Sequence, residues 1–135
     1  MANYVLDSFA LLAFFRDESG ADIVEQLLND AAEDKHELFI TTVNAGEVFY
    51  MSHRKDGAIK AAFVWEAMKK FPLHFIEIDL EFSLEAAKIK ASHKLSFADA
   101  FAAALTIQKK GTLVTGDDEF EALKGQAGFK VKYIV

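Results

Sequence analysis

The chain contains no cysteine, which excludes disulfides and thiolate metal sites. A reducing, cytoplasmic setting is the expectation that accompanies this. Proline is nearly absent, with Pro72 alone, and the seven glycines are scattered. There is no Pro- or Gly-rich linker, no low-complexity segment and no internal repeat, so residues 1–135 read as one domain. No apolar run approaches the roughly 20 residues that span a bilayer. The start, MANYVLD, lacks the basic region, apolar stretch and cleavage site of a signal peptide. No membrane association is expected. A phosphate-cradling glycine loop and a G-x-S-x-G nucleophile elbow are missing as well. His36, His53, His74 and His93 are dispersed without metal-ligand spacing. A basic excess is also lacking. The formal net charge is −6, unlike the footprint of a simple nucleic-acid binder. A local basic face around Arg16, Arg54, Lys55 and Lys60 remains open.

What the chain does have is apolar bulk. Hydrophobic residues make up 52% of it, with 13 Phe, which argues against disorder and for a full core. Short apolar runs alternate with helical segments. Residues 3–6, 38–41, 74–78, 112–115 and the closing KVKYIV read as five strands. Helices are expected over about 8–15, capped by Ser8, and over about 19–32. A further helix starts after Thr41 or Thr42 and ends near Gly57. The next covers about 58–71 and is stopped by Pro72. Asp79 and Ser96 cap two more, the last ending at Gly111. A helical turn is expected over roughly 118–123. This alternation predicts an α/β fold with a mostly parallel five-stranded sheet, right-handed crossovers and helices on both faces.

Four acids carry the chemistry: Asp7 in YVLDSFALL, Glu47 in TTVNAGEVFY, Asp99 in KLSFADAFAAA and Asp117 in TLVTGDDEF. Asp7 and Asp117 follow strands, while Glu47 and Asp99 lie in the first turns of helices. Each has a purely structural alternative. Asp7 is also a helix N-terminal acid. Glu47 is equally served by solvent or by pairing with Arg54 or Lys55. Asp99 completes a Ser-x-x-Asp capping box with Ser96, and Asp117 is a cap for the next turn. Together they stand where parallel sheets place their sites, at the carboxyl edge. Two like charges ~4 Å apart repel by about 1 kcal/mol in water and about 4 kcal/mol at an effective dielectric of 20. A cation relieves that repulsion, and an all-oxygen cluster suits Mg²⁺ or Mn²⁺. The chain thus reads as a metal-dependent phosphodiester hydrolase.

These motifs resemble the PIN domain, and within it the VapC-like toxin ribonucleases, over essentially the whole chain. Asp7-Ser8 is similar to the family's N-terminal acid and hydroxyl residue. Asn44-Ala45-Gly46-Glu47, Leu95 to Ala100 and Thr115-Gly116-Asp117 with Phe120 are similar to its later motifs. The directly following Asp118 departs from the pattern. The resemblance implies a PIN-like three-layer fold, a divalent metal and RNA cleavage. It also implies an antitoxin partner and a homodimer. Metal would be held by Asp7, Asp99 and Asp117 or Glu47, with Ser8, Asn44, Thr115 and Asp118 in support.

Two rival readings stand beside this one. A phosphoacceptor signalling domain shares the length, the sheet and an acidic pocket. It needs paired acids after its first strand and a late strand-end Lys, and neither is here. The other is a non-catalytic PIN-like domain that binds protein or RNA.

Overall fold

A computed structural model describes residues 1–135. The elements run β1 (Ala2–Leu6), α1 (Ser8–Phe15), α2 (Ala21–Ala32), β2 (His36–Thr41), α3 (Thr42–Asp56) and α4 (Ala58–Met68). They continue with β3 (Leu73–Ile76), α5 (Leu80–Ser92), α6 (Phe97–Gln108), β4 (Thr112–Thr115), a 3₁₀ helix (Asp118–Leu123) and β5 (Val131–Tyr133). The five strands form one sheet in the order β3-β2-β1-β4-β5, and all four pairings are parallel. The sheet is therefore wholly parallel rather than mostly so.

Side-chain alternation along the strands explains the three layers. Leu6, Leu38, Ile40 and Val114 point to a core shared with α1 to α4. Val5, Phe39 and Leu113 point the other way, to a core shared with α5, α6 and the 3₁₀ helix. A sheet buried on both faces needs strands without a polar side, which is why these runs read as continuously apolar. Ala100 and Ala102 to Ala104 on α6 are buried, and their small side chains let that helix lie close to the sheet.

Side chains at Asp7, Thr41, Asp79 and Ser96 each accept the N–H three residues on. Each such cap is worth about 1 kcal/mol. Asp7, not Ser8, caps α1. Its backbone is extended (φ −95, ψ −178), the geometry that aims a carboxylate at the Ala10 N–H, whereas Ser8 is already helical. α4 ends at Met68, before the expected Phe71. The residue preceding a proline is disfavoured in the helical region, so the last turn unwinds ahead of Pro72.

The chain lays down β1, β2 and β3 in one direction, then crosses back to place β4 against the other side of β1. The crevice beyond the carboxyl ends of β1 and β4 is the switch point where such sheets bind ligands. Asp7 follows β1 and Asp117 follows β4.

Candidate active site

Asp7, Glu47, Asp99 and Asp117 all line one cavity of about 370 Å³ at this switch point, together with Ser8, Ser96 and Glu119. Asp7 is the most enclosed, at 2% exposure. Its Oδ1 accepts the Ala10 N–H (2.9 Å), and its Oδ2 accepts the Thr115 hydroxyl. Thr115 Oγ1 in turn accepts the Asp117 N–H at 3.0 Å. The hydroxyl thus joins the ends of β1 and β4. Asp117 Oδ1 accepts the Glu119 N–H (2.9 Å), which starts the 3₁₀ helix. A Cβ at Gly116 would run into the Phe9 ring, so a larger residue at this strand-to-turn step would have to displace that ring.

Glu47 is held from behind. Thr41 caps α3, and its hydroxyl donates to Asn44 Oδ1 at 2.6 Å. That fixes the amide orientation, and Asn44 Nδ2 donates to Glu47 Oε1 and to Ala98 O, both at 3.2 Å. Asn44 is fully buried and ties α3 to the start of α6. No ion pair joins Glu47 to Arg54 or Lys55; Arg54 lies over the Tyr50 ring instead, 5.3 Å from its centroid. Ser96 accepts the Asp99 N–H at 3.0 Å. The reciprocal half of a capping box, from the Asp99 carboxylate to the Ser96 N–H, is not made, so that carboxylate faces the cavity.

The electrostatics follow from this enclosure. Burial pushes Asp7 up to about 7; the Thr115 hydroxyl and Ala10 N–H oppose the rise, and the charges of Asp99 and Asp117 add to it. Burial likewise pushes Asp99 up to about 6, opposed by Ser96 and reinforced by Asp117, Glu47 and Glu119. Six carboxylates line the cavity (Asp7, Glu18, Glu47, Asp99, Asp117 and Glu119) against one cation, Arg16. Asp7 caps α1 and Asp99 lies in the first turn of α6, where the partial positive charge of a helix start offsets part of the repulsion. Asp99, Asp117 and Glu119 can each present a carboxylate oxygen within 4.8 Å of the others. An anionic, all-oxygen donor set of this kind fits Mg²⁺ or Mn²⁺.

The supporting residues divide into two groups. Ser8 lines the cavity, while Asn44 and Thr115 stand behind it and orient its acids. Asp118 is exposed and faces a neighbouring depression with Gly116, Glu121 and Tyr133. Glu119 reaches the acidic cavity, because the turn closed on Asp117 brings its backbone round. Its only signal in the sequence is its place two residues after Asp117. Arg16 is legible in the sequence only as a member of a candidate basic face; the apolar α1 preceding it gives no hint that its end borders the acidic cavity. His36 is structural: it is buried and its Nε2 lies 2.9 Å from Leu27 O. A larger groove of about 770 Å³ runs between α5 and α6 and contains none of the four acids. The site is identified by its chemistry and not by its size.

Comparison with curated protein sequences finds no match. Solved structures share the fold. The VapBC2 complex of Rickettsia felis bound to promoter DNA is 14% identical over 97% of this chain and 98% of that one, with a TM-score of 0.75. DNA-bound VapBC of Salmonella typhimurium is 15% identical over 100% of both chains, with a TM-score of 0.75. VapC20 of Mycobacterium tuberculosis, a sarcin-ricin loop cleaving toxin, is 17% identical over 90% of this chain and 94% of that one, with a TM-score of 0.71. The PIN domain profile matches residues 4–126, covering every acid of the cavity, and the chain belongs to the PIN domain family.

Proposed function

We propose that the protein is a divalent-metal-dependent endoribonuclease and the toxin of a toxin–antitoxin pair. The observation that carries this reading is the convergence of Asp7, Glu47, Asp99 and Asp117 on one cavity. Two of these acids are pushed toward neutral pKa by burial and by one another, which is the signature of carboxylates poised for a cation or a proton. Family membership and the fold shared with VapC toxins support the same reading.

Asp7, Asp99, Asp117 and Glu119 would hold the ion. A bound Mg²⁺ or Mn²⁺ supplies a Lewis acid for the scissile phosphate and lowers the pKa of a coordinated water. Asp99, Asp117 and Glu119 are already grouped, and Thr115 and the Ala10 N–H hold the Asp7 carboxylate in the wall beside them. Glu47, oriented by Asn44 and unpaired with any cation, accepts a proton from the attacking water. Ser8, at the rim, donates a hydrogen bond to water or phosphate. The substrate is RNA, and the partners are an antitoxin and a second copy of the chain. Ile59 (90% exposed) and Phe63 (63%) on α4, and Leu80 (76%) and Leu84 (54%) on α5, offer the apolar surface that such partners cover. No helix is long and apolar enough to cross a membrane.

The test is cleavage of single-stranded RNA in Mg²⁺ or Mn²⁺, abolished by EDTA, by Asp7→Asn and by Asp99→Asn. Cleavage that persists equally in both variants would overturn the assignment of this cavity. RNA binding without any cleavage would favour the non-catalytic PIN-like domain.

A further inference from the structure

Arg16 is the one cation in the wall of the acidic cavity, and it is shared with a second depression. The second space measures about 480 Å³ and is lined by Phe15, Arg16, Glu18, Lys55, Asp56 and Lys60. Arg16 therefore stands on the saddle between the two. Its side chain is only 20% exposed, and its nearest acidic partner, Asp56 Oδ2, is 3.9 Å from Nε. That is outside hydrogen-bonding range, and Nε is buried with no hydrogen-bond partner. That atom is closed off, so a ligand meets the guanidinium through its two terminal Nη groups. A planar fork of this type matches the oxygens of a phosphate in a two-point contact.

The surroundings favour a polyanion leaving the acidic cavity. In the second depression the cations are Arg16, Lys55 and Lys60, against Glu18 and Asp56. The two walls share Arg16 and Glu18, and beyond them the sign changes from strongly negative to weakly positive. Lys55 and Lys60 are exposed and form none of the protein's ion pairs. Tyr50 stands at the edge of the acidic cavity, 46% exposed, with Arg54 over its ring. An exposed aromatic beside a phosphate track is the platform on which single-stranded bases stack.

We propose that the RNA strand entering the acidic cavity continues over Arg16 into this second depression. Arg16 binds the phosphate next to the scissile one in a forked contact. Lys55 and Lys60 bind the phosphates beyond it, and Tyr50 stacks on a base at the boundary. Arg16 is a positioning residue, since it holds the strand and leaves the reacting atoms to the acids. The inference rests on the nuclease reading of the acidic cavity. It deepens that reading by fixing the path and the single-stranded character of the substrate.

The test uses the full-length chain and a short fluorescein-labelled single-stranded RNA in Mn²⁺. Cleavage is measured across a series of NaCl concentrations, and binding by anisotropy in an Asp99→Asn background. Lys55→Gln/Lys60→Gln is expected to raise KM several-fold and leave kcat nearly unchanged. The slope of log K against log [salt] should fall by about 0.7 for each phosphate that is no longer neutralised. Arg16→Gln should raise KM more, and Arg16→Lys should restore part of the binding by returning the charge without the fork. Mn²⁺ affinity without RNA and thermal unfolding should be unchanged in the lysine variant, which separates the track from the ion site and from folding. Parental KM and salt slope in Lys55→Gln/Lys60→Gln would overturn the track and leave these cations to a protein partner. A parent that binds RNA with the expected slope but never cleaves it removes the nuclease reading and leaves the track standing. A parent that neither binds nor cleaves overturns both.

Discussion

The Thr115 hydroxyl donates to Asp7 Oδ2 across 108 residues of sequence, linking the end of β4 to the end of β1. The same hydroxyl oxygen accepts the Asp117 N–H, so one side chain sets the relative position of two cavity acids. Its donation favours the charged form of Asp7 and opposes the rise that burial causes.

Thr115→Val is close in shape but removes that donor. Asp7 should then titrate above its present value of about 7, and the Asp117 N–H loses its acceptor. The acidic limb of the pH–rate profile is expected to move to higher pH, with weaker Mn²⁺ binding at pH 7. Thr115→Ser should behave like the parent. A pH–rate profile for the three proteins decides this, and an unmoved acidic limb in Thr115→Val would remove the proposed role.

Asp7 also makes the metal-free fold sensitive to pH. The folded chain keeps its proton up to about pH 7, whereas the same group free in solution titrates at 3.8. The native state therefore binds more protons across that window, and stability falls as pH rises through it. Below about pH 4 the contribution is fully present; above about pH 7 it is gone. A shift of this size corresponds to something on the order of 4 kcal/mol. Asp7→Asn should flatten this part of the dependence. Urea unfolding in EDTA between about pH 4 and pH 8 measures it, and identical slopes for parent and variant would contradict the enclosure of this carboxylate.

Metal should reverse that penalty. An ion that binds only the native state adds RT ln(1 + [L]/Kd), about 2.7 kcal/mol at a hundredfold excess over Kd. For a domain of this size that corresponds to a rise of a few degrees in Tm for each kcal/mol. Thermal unfolding with and without Mn²⁺ should show the rise in the parent. Asp7→Asn/Asp99→Asn should lose most of it and be more stable than the parent when metal-free, because repulsion is relieved. An equal response in both proteins would place the ion elsewhere.

The elements were legible because the signals for them are local. Strands such as LFIT and TLVT are short and apolar on both faces, and Thr41, Asp79 and Ser96 cap helices from within four residues. The four acids were legible because strand ends and helix starts gather at one edge of a parallel sheet. What escaped is set by contacts distant in sequence or by backbone angles. Nothing near Asp7 marks Thr115 as its partner, and the extended backbone that lets Asp7 displace Ser8 as the cap is a property of the β1 exit. Asn44 reads locally as an ordinary helix-start residue. Only the approach of α6, through Ala98 O, shows that it couples two acid-bearing helices.

The turn after Asp117 supplies the last prediction. Asp118 and Glu119 are both exposed acids, and by sequence Asp118, next to the motif acid, is the expected supporting residue. The structure brings the Glu119 carboxylate within reach of Asp99 and Asp117 and leaves Asp118 lining the depression beside Tyr133. Glu119 also adds to the upward push on Asp99. Glu119→Gln should weaken Mn²⁺ binding by at least about tenfold, the smallest loss usual even for groups that only orient a metal's ligands. Asp99 should then titrate lower in the metal-free protein. Asp118→Asn should leave both properties close to the parent, since solvent and salt screen its charge from the cavity. Mn²⁺ titration calorimetry and carboxylate NMR titrations of the two variants give the answer. A larger effect in Asp118→Asn than in Glu119→Gln would mean that the turn rearranges around the ion, and that Asp118 replaces Glu119 in the bound state.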